Sequence, residues 1–399
     1  MGVVPALSFE QARDCVLAQL SRHPVAPAVE HVSLLDSLGR ILAEPIAADR
    51  DYPTLSRAMR DGFAVRAADV PGTLRIVGEV RAGQRLDREL ASGETVEIMT
   101  GAPAPPGADA VIMVEHATRD GDRVTLPAAI AGANLNPEGI EARQGDVILT
   151  AGRRLGYVEI AALATTGHAF VPVYRRPEVA ILATGDELVG VEETPRDEQI
   201  RNSNAYSLAA QVTRAGARPL VLPVARDNWD STYSLIARGL ASDLLLLSGG
   251  VSAGKYDIVE RVLSGFGTEF FFDRVAIQPG QPLVFGRAQN RFLFGLPGNP
   301  ASAMVTFELF ARSAVEALCG ASSTSLPLLH ARLRKPFRHK PGLTRFLPAN
   351  LSDCGGWIEH VSWHGSGDVA ALARANAFLV ASASRESWDE GEWIPVLQR

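Results

Sequence analysis

Ser8 and Gln11 stand in a capping-box pattern, and Ala12, Val16, Leu17 and Leu20 recur after them at helical spacing, so a helix is predicted from about Ser8 to Arg22. Between Asp51 and about Asn136 the texture changes. Runs such as LRIVGEV, TVEIM and AVIMVEH, separated by Gly, Pro and Asp turns, predict a β-rich unit with no good amphipathic helix. From Gly145 to Tyr174 mixed segments return, DVILTAG and then YVEIAALATTG. They are expected to pack back against the N-terminal helix, which makes the β-rich unit an insertion.

After Arg176-Pro177 the apolar runs PEVAILAT, ARPLVLPV, SDLLLLS and NRFLFGL alternate with helical segments. Near-continuous apolar strands suit a parallel sheet covered by helices on both faces. One helix is expected from about Ser203 to Ala215, with Ala205, Leu208, Ala209 and Val212 on one face and Gly216 as its stop. Another follows Asn299-Pro300, with Asn capping, Pro in the first turn, and Met304, Phe307, Ala311, Ala314 and Leu318 facing inward. From about Leu328 turns and short strands dominate, apart from a turn at VAALARAN. The expected plan is an N-terminal linking domain (1–50 plus 137–176), an inserted β-rich domain (51–136), an α/β domain (177–327) and a C-terminal β domain (328–399).

Composition narrows the function. The chain has 399 residues, 46% hydrophobic and 21% charged, so disorder is excluded as a general reading and more than one domain is expected. Thirty-nine Lys plus Arg against 45 Asp plus Glu leave a formal charge of −6, which provides no global field for nucleic acid. No basic and apolar leader opens the chain, and no apolar run reaches about 18 residues, so neither export by that route nor a membrane span is expected. Cys15, Cys319 and Cys354 are far apart without C-x-x-C spacing. That fits a reducing cytoplasm, with the thiols as small buried hydrophobes.

In an open parallel sheet, ligands bind beyond the carboxyl ends of the strands. Four such turns here are rich in glycine and acids: Asp186 and Glu187 in TGDE, Asp227 in ARD, Ser248, Gly249 and Gly250 leading to Asp257 in SGGVSAGKYD, and Pro297, Gly298, Asn299 and Pro300 in PGNP. Glycines let backbone N–H groups approach an anion, and a helix start adds its positive end. Carboxylates beside an anion cradle repel it unless a divalent cation intervenes, so a Mg-phosphate site is expected, with two or three of the acids ligating. Any one of these turns alone reads as ordinary helix capping.

Other patterns compete. GVSAG fits G-x-S-x-G, which would make Ser252 a hydrolase nucleophile with His330, His339, His360 or His364 as base. GGVSAGK approaches a P-loop, but Tyr256 replaces the Mg-binding hydroxyl residue. His360 and His364 lack the Glu of H-E-x-x-H, so solvated histidines are expected there instead of a zinc site. Asp61-Gly62, IMTGAP and QPGQP are each ordinary by themselves.

Taken in order, RAMRDGFAVRAAD, IMTGAP, GADAV, ATGDEL, ARD, SGGVSAGKYD, AIQPGQPLVFG and GLPGNPAS resemble the MoeA family, the molybdopterin molybdenumtransferases, relatives of the gephyrin E domain. The resemblance spans nearly the whole chain and reassigns Ser252 to a binding loop. It implies an elongated homodimer with a central molybdopterin-binding-like α/β domain, an inserted β-rich domain and a C-terminal β-barrel-like domain. It also implies the reaction: adenylylated molybdopterin and molybdate bind, AMP is released with Mg²⁺, and the metal enters the dithiolene. An upstream adenylyltransferase is an implied partner.

Carried over by motif, Asp61 and Thr100 come from the insertion and serve the partner chain's cleft. Glu187, Asp227 and Asp257 match the acids for Mg²⁺, and Glu141 falls near another family acid. Asp186, Ser248, Gly249, Gly250 and Pro297 to Pro300 would bind substrate, and Ser366 resembles a serine near the oxyanion. The family's K-P-G-K-P turn departs here, with Gln278 and Gln281 in place of two lysines. Glutamine donates hydrogen bonds but carries no charge, so Lys255, or Arg57 and Arg60, would have to compensate. The alternatives are a tungstate-handling paralogue and a non-catalytic scaffold of the gephyrin type.

Overall fold

The structure is a computed structural model that describes residues 6–25, 27–250 and 258–399. Its central sheet has six strands in the order Arg218–Val221, Glu178–Ala183, Leu244–Ser248, Arg291–Leu296, Pro282–Ala288, Glu269–Arg274. The four runs expected to be parallel are parallel. The sheet as a whole is mixed, because 269–274 and 282–288 join antiparallel at one edge. Between 282–288 and 291–296 the chain turns within Gln289 and Asn290, both at positive φ, a tight turn that forces antiparallel return.

Alternation along these strands fills two cores. Val179, Ile181, Leu244, Leu246, Phe292 and Phe294 face one cluster, while Ala180, Leu182, Leu245, Leu247 and Leu293 face the other. Helix Ser203–Ala215 spans the expected residues and ends at Gly216, whose φ of 104° only glycine adopts readily. The segment after Pro300 is helical to Leu318 with a π-type stretch at Phe307–Ala311. Buried Glu308 in that stretch accepts hydrogen bonds from Gln211 and Arg214, both at 2.6 Å, and locks the two helices together.

Ser8 caps helix Phe9–Arg22 through the expected box. This helix seats on the helical segment 300–318, with Arg13 donating to Leu309 O within it and to Thr324 O in the loop that follows, and its Phe9, Ala12 and Val16 join the first core. The returning segment packs instead against residues 29–47: strand Val29–Ser33 pairs Phe170–Tyr174, Ile46–Ala47 pairs Val147–Leu149, and Leu42, Leu155 and Leu163 fill the space between. Between these passes lies a six-stranded sheet ordered Ala110–Met113, Gly62–Val65, Glu94–Ile98, Gly72–Val80, Arg123–Leu126, Thr118–Asp120. In the C-terminal region, strands Thr344–Leu351, Trp357–His360, Leu328–Leu333, Trp393–Gln398 and Ala377–Ala381 close into a five-stranded barrel. The VAALARAN turn is a short helix, Val369–Arg374. Strand Ile277–Gln278 pairs with Thr344–Arg345, which brings the barrel against the end of the central sheet.

Candidate functional site

Three backbone hydrogen bonds stitch together the carboxyl ends of the parallel strands. Thr184 N donates to Ser248 O at 3.1 Å, Gly185 N to Ala225 O at 3.2 Å, and Gly249 N to Leu296 O at 3.2 Å. The polar turns therefore do converge on one edge. There a cleft of about 660 Å³ opens between the sheet ends and the barrel. Gly249 and Gly250 sit at its floor with φ of 88° and 64°. A side chain at Gly249 would place Cβ 2.9 Å from Thr184 O, so no residue but glycine suits this turn.

The cleft gathers Glu187, Ser248, Gly249 and Gly250 on one side, and Gln278, Gln281 and Ser366 near the barrel, with Pro297 to Pro300 along the wall. Asn299 occupies the N-cap position, but its side chain makes no capping hydrogen bond. Its Nδ2 instead donates to Ser366 Oγ at 2.8 Å, while Ala301 N donates to Ser366 O at 2.9 Å. The expected cap is thus spent on tying the barrel to the helix, which holds Ser366 at the cleft.

Asp186 and Asp227 lie beside the cleft and are not among its lining residues; Asp227 N donates to Asp186 Oδ1 at 3.3 Å. Asp257, Lys255 and Ser252 lie outside the described residues. Asp61 and Thr100 are brought together in the inserted sheet, where the Asp61 carboxylate accepts from Thr100 N at 2.6 Å and Thr100 Oγ1 at 2.8 Å. Those donors, the backbone one foremost, hold the Asp61 carboxyl below its ordinary pKa. The pair does not line its own chain's cleft. Arg57 and Arg60 are exposed on the same insertion, and Glu141 lines a separate depression with Tyr52 and Asp146.

Of the two histidines expected to be solvated, His364 is exposed and His360 is not. His339 is buried, with Nε2 against Ser382 O and Arg385 O, and His360 is half-buried beside Phe337, its pKa lowered by burial. His364 is exposed next to Asp368, and His330 is exposed on a barrel strand. Among the described residues no cluster of three His, Cys, Asp or Glu could hold a metal ion. Of the thiols, Cys319 is buried and pushed up to about 11 by burial, while Cys15 is half-buried and Cys354 exposed.

Two residues missed in the sequence shape the cleft. Asn204, 8% exposed, donates through Nδ2 to Ser248 Oγ at 2.9 Å and Gly298 O at 2.7 Å, splinting the two loops, and its Oδ1 has no partner among the described residues. Arg201 also lines the cleft. The run RNSN, four polar side chains at the mouth of a helix starting on the ligand edge, was the available signal.

Three family models match the chain: MoeA N-terminal region (domain I and II) over residues 7–167, probable molybdopterin binding domain over 180–317, and MoeA C-terminal region (domain IV) over 330–398. The molybdopterin molybdenumtransferase of Bacillus subtilis (strain 168) is 36% identical over 383 residues, covering 92% of this chain and 89% of that protein. The solved molybdopterin biosynthesis moea protein from Pyrococcus horikosii is 31% identical with a TM-score of 0.79, covering 98% of this chain and 99% of the other. A second solved moeA protein, from Pyrococcus horikoshii OT3, is 27% identical with a TM-score of 0.84, covering 99% and 100%.

Proposed function

Since the chain belongs to the MoeA family, its activity is that of a molybdopterin molybdenumtransferase, inserting molybdenum into molybdopterin in cofactor biosynthesis, and we propose that the cleft at the ends of the central sheet carries the reaction. The observation that carries this reading is the meeting of a glycine cradle, an exposed carboxylate and uncharged donors in one cleft. Ser248, Gly249 and Gly250, with the wall from Pro297 to Pro300, hold the phosphate end of an adenylylated molybdopterin. Gln278, Gln281 and Ser366 offer donors to molybdate, the metal substrate, and Lys255, which lies outside the described residues, is the candidate for the positive charge that the two glutamines lack. Hydrolysis of the adenylate breaks its phosphoanhydride bond and releases AMP, and the dithiolene sulfurs take the metal.

An all-oxygen donor set with an exposed carboxylate beside the cradle fits a hard cation that keeps several waters. Glu187 and Asp227, together with Asp257, are the residues that would hold Mg²⁺, which neutralises phosphate charge when bound. The acting unit is a homodimer in which Asp61 and Thr100 serve the partner's cleft, in keeping with their not lining their own. Its place is the cytoplasm, downstream of an adenylyltransferase. No described helix is long and apolar enough to cross a membrane.

The test is to incubate purified protein with adenylylated molybdopterin, Mg²⁺ and either molybdate or tungstate, and to follow AMP and metal-loaded cofactor. Oxyanion-dependent AMP release, abolished in Glu187→Gln, is expected, and the two oxyanion arms identify the preferred metal. Tight pterin binding without turnover on either oxyanion would overturn the catalytic reading in favour of a scaffold. Co-expressed Asp61→Asn and Glu187→Gln chains should recover activity in mixed dimers if the site is shared.

A further inference from the structure

The charged side chains lining the described part of the cleft are Glu187 and Arg201. A phosphoryl ligand therefore meets one negative side chain there and one positive one. Arg201 is the last residue of the short strand Ile200–Arg201, which pairs in parallel with Leu188–Val189, and it precedes Asn202, the cap of helix Ser203–Ala215. Its Nε donates to Glu193 O at 2.9 Å. The guanidinium makes no ion pair with a described carboxylate, whereas its neighbour Arg196 pairs with Glu198 at 3.1 Å. A guanidinium fixed at Nε by a carbonyl keeps both Nη groups for another acceptor, in the planar fork that suits phosphate oxygens. Among the described residues the buried Oδ1 of Asn204 in the same cleft has no partner, and as an acceptor it would be completed by an N–H or O–H group of a ligand and not by its anion, which leaves the anion to Arg201.

We infer that Arg201 is the specificity-determining cation of this cleft, binding the phosphoryl anion of the substrate. The inference rests on the proposed pterin site for its physiological ligand, and its test separates the two. Binding of inorganic pyrophosphate and of adenylylated molybdopterin is measured by calorimetry for wild type, Arg201→Gln and Arg201→Lys, with thermal unfolding as a check on the fold. Arg201→Gln is expected to weaken both ligands roughly 10- to 100-fold, a charge-assisted contact's worth, and to flatten the rise of Kd with salt. Arg201→Lys should fall between, since it keeps the charge and loses the anchored fork. In turnover, KM should rise with kcat within about threefold, as for an interaction made equally in ground and transition states. Unchanged affinity of Arg201→Gln for both ligands, or a loss matched by Arg201→Lys with no change in salt dependence, overturns the role. Wild type that binds pyrophosphate but not the pterin overturns the pterin site and leaves the Arg201 comparison decided by pyrophosphate. Wild type that binds neither overturns both.

Discussion

The cleft of the central sheet and the Asp61–Thr100 pair of the inserted sheet are both polar and exposed at their rims, yet they are opposite in one respect. The pair is closed on itself: Asp61 takes two donors from Thr100 and sits ready as an anion. The cleft is left open, with Asn204 Oδ1 and the Nη groups of Arg201 without protein partners among the described residues. Unfilled hydrogen-bonding groups mark where a ligand completes the structure, and filled ones mark a side chain presented outward in a fixed charge state. The sheets explain the difference. A sheet buried on both faces puts its variable chemistry at its strand ends, where loops meet and leave gaps. A two-residue contact at the end of the inserted sheet has no such gap to leave.

The largest effect on this contrast should come from filling the open region. Gly249→Ala puts a Cβ within 2.9 Å of the Thr184 carbonyl and forces a non-glycine residue to φ near 88°. The positive φ alone costs about 1 kcal/mol, and the backbone clash adds to it because a carbonyl cannot rotate aside as a side chain does. A lower apparent unfolding temperature and near-complete loss of AMP release are expected. Retention of full activity would mean that the cradle is not the phosphate site. The same change placed at Gly83, at φ of 82° with nothing within 4 Å, tests positive φ without the collision and should be far milder.

Next is the splint. Asn204→Ala removes the donor shared by Ser248 Oγ and Gly298 O and leaves both acceptors in the cleft wall unpaired, at a cost of about 1–3 kcal/mol. The AMP-release kcat/KM is expected to fall roughly 10- to 100-fold, about that energy at 1.4 kcal/mol per decade. Asn204→Asp should be worse, since it turns a carboxylate toward Gly298 O and repels an anionic ligand. If Asn204→Asp matched wild type, the splint would carry no function.

Asn204 also marks the limit of what could be read from the chain. Helix Ser203–Ala215, its stop at Gly216 and its inward face follow from local spacing, and the capping box at Ser8 was legible in four residues. The partners of Asn204 are 44 and 94 residues away, so no periodicity points to them. Asn299 was misread for the same reason: Asn before Pro is a good local cap, but Ser366, 67 residues on, competes for its amide and wins. The mixed edge of the central sheet was hidden because its turn, Gln289-Asn290, lacks the glycine that usually announces a tight hairpin. Motif positions such as Glu187 and Gly249 were legible because close backbone approach and strand-end chemistry leave a residue-type signature. Which acids face inward is settled by turn geometry, and the Asp186 carboxylate is taken up by the backbone N–H of Asp227.

The smallest expected effect tests the closed region. Thr100→Val removes the hydroxyl donor to Asp61 and leaves the backbone N–H, which contributes the greater part of the depression of its pKa. The Asp61 pKa should therefore rise only part of the way to its ordinary value. A carboxyl depressed by folding contributes stability that is present above its unfolded pKa and is lost as pH falls through the folded one, so the variant loses this contribution sooner on acidification. Asp61 is fully exposed, and water screens the contribution, so the change shows in titration well before it shows in unfolding. Carboxyl-carbon NMR of Asp61 should follow an upward shift in Thr100→Val, and the acid limb of AMP release should move to higher pH by the same amount. An acid limb that stays put while the NMR pKa moves would show that Asp61, though held as an anion, is not the group whose charge the reaction needs. The contrast between an open cleft and a presented carboxylate would then reduce to the cleft alone.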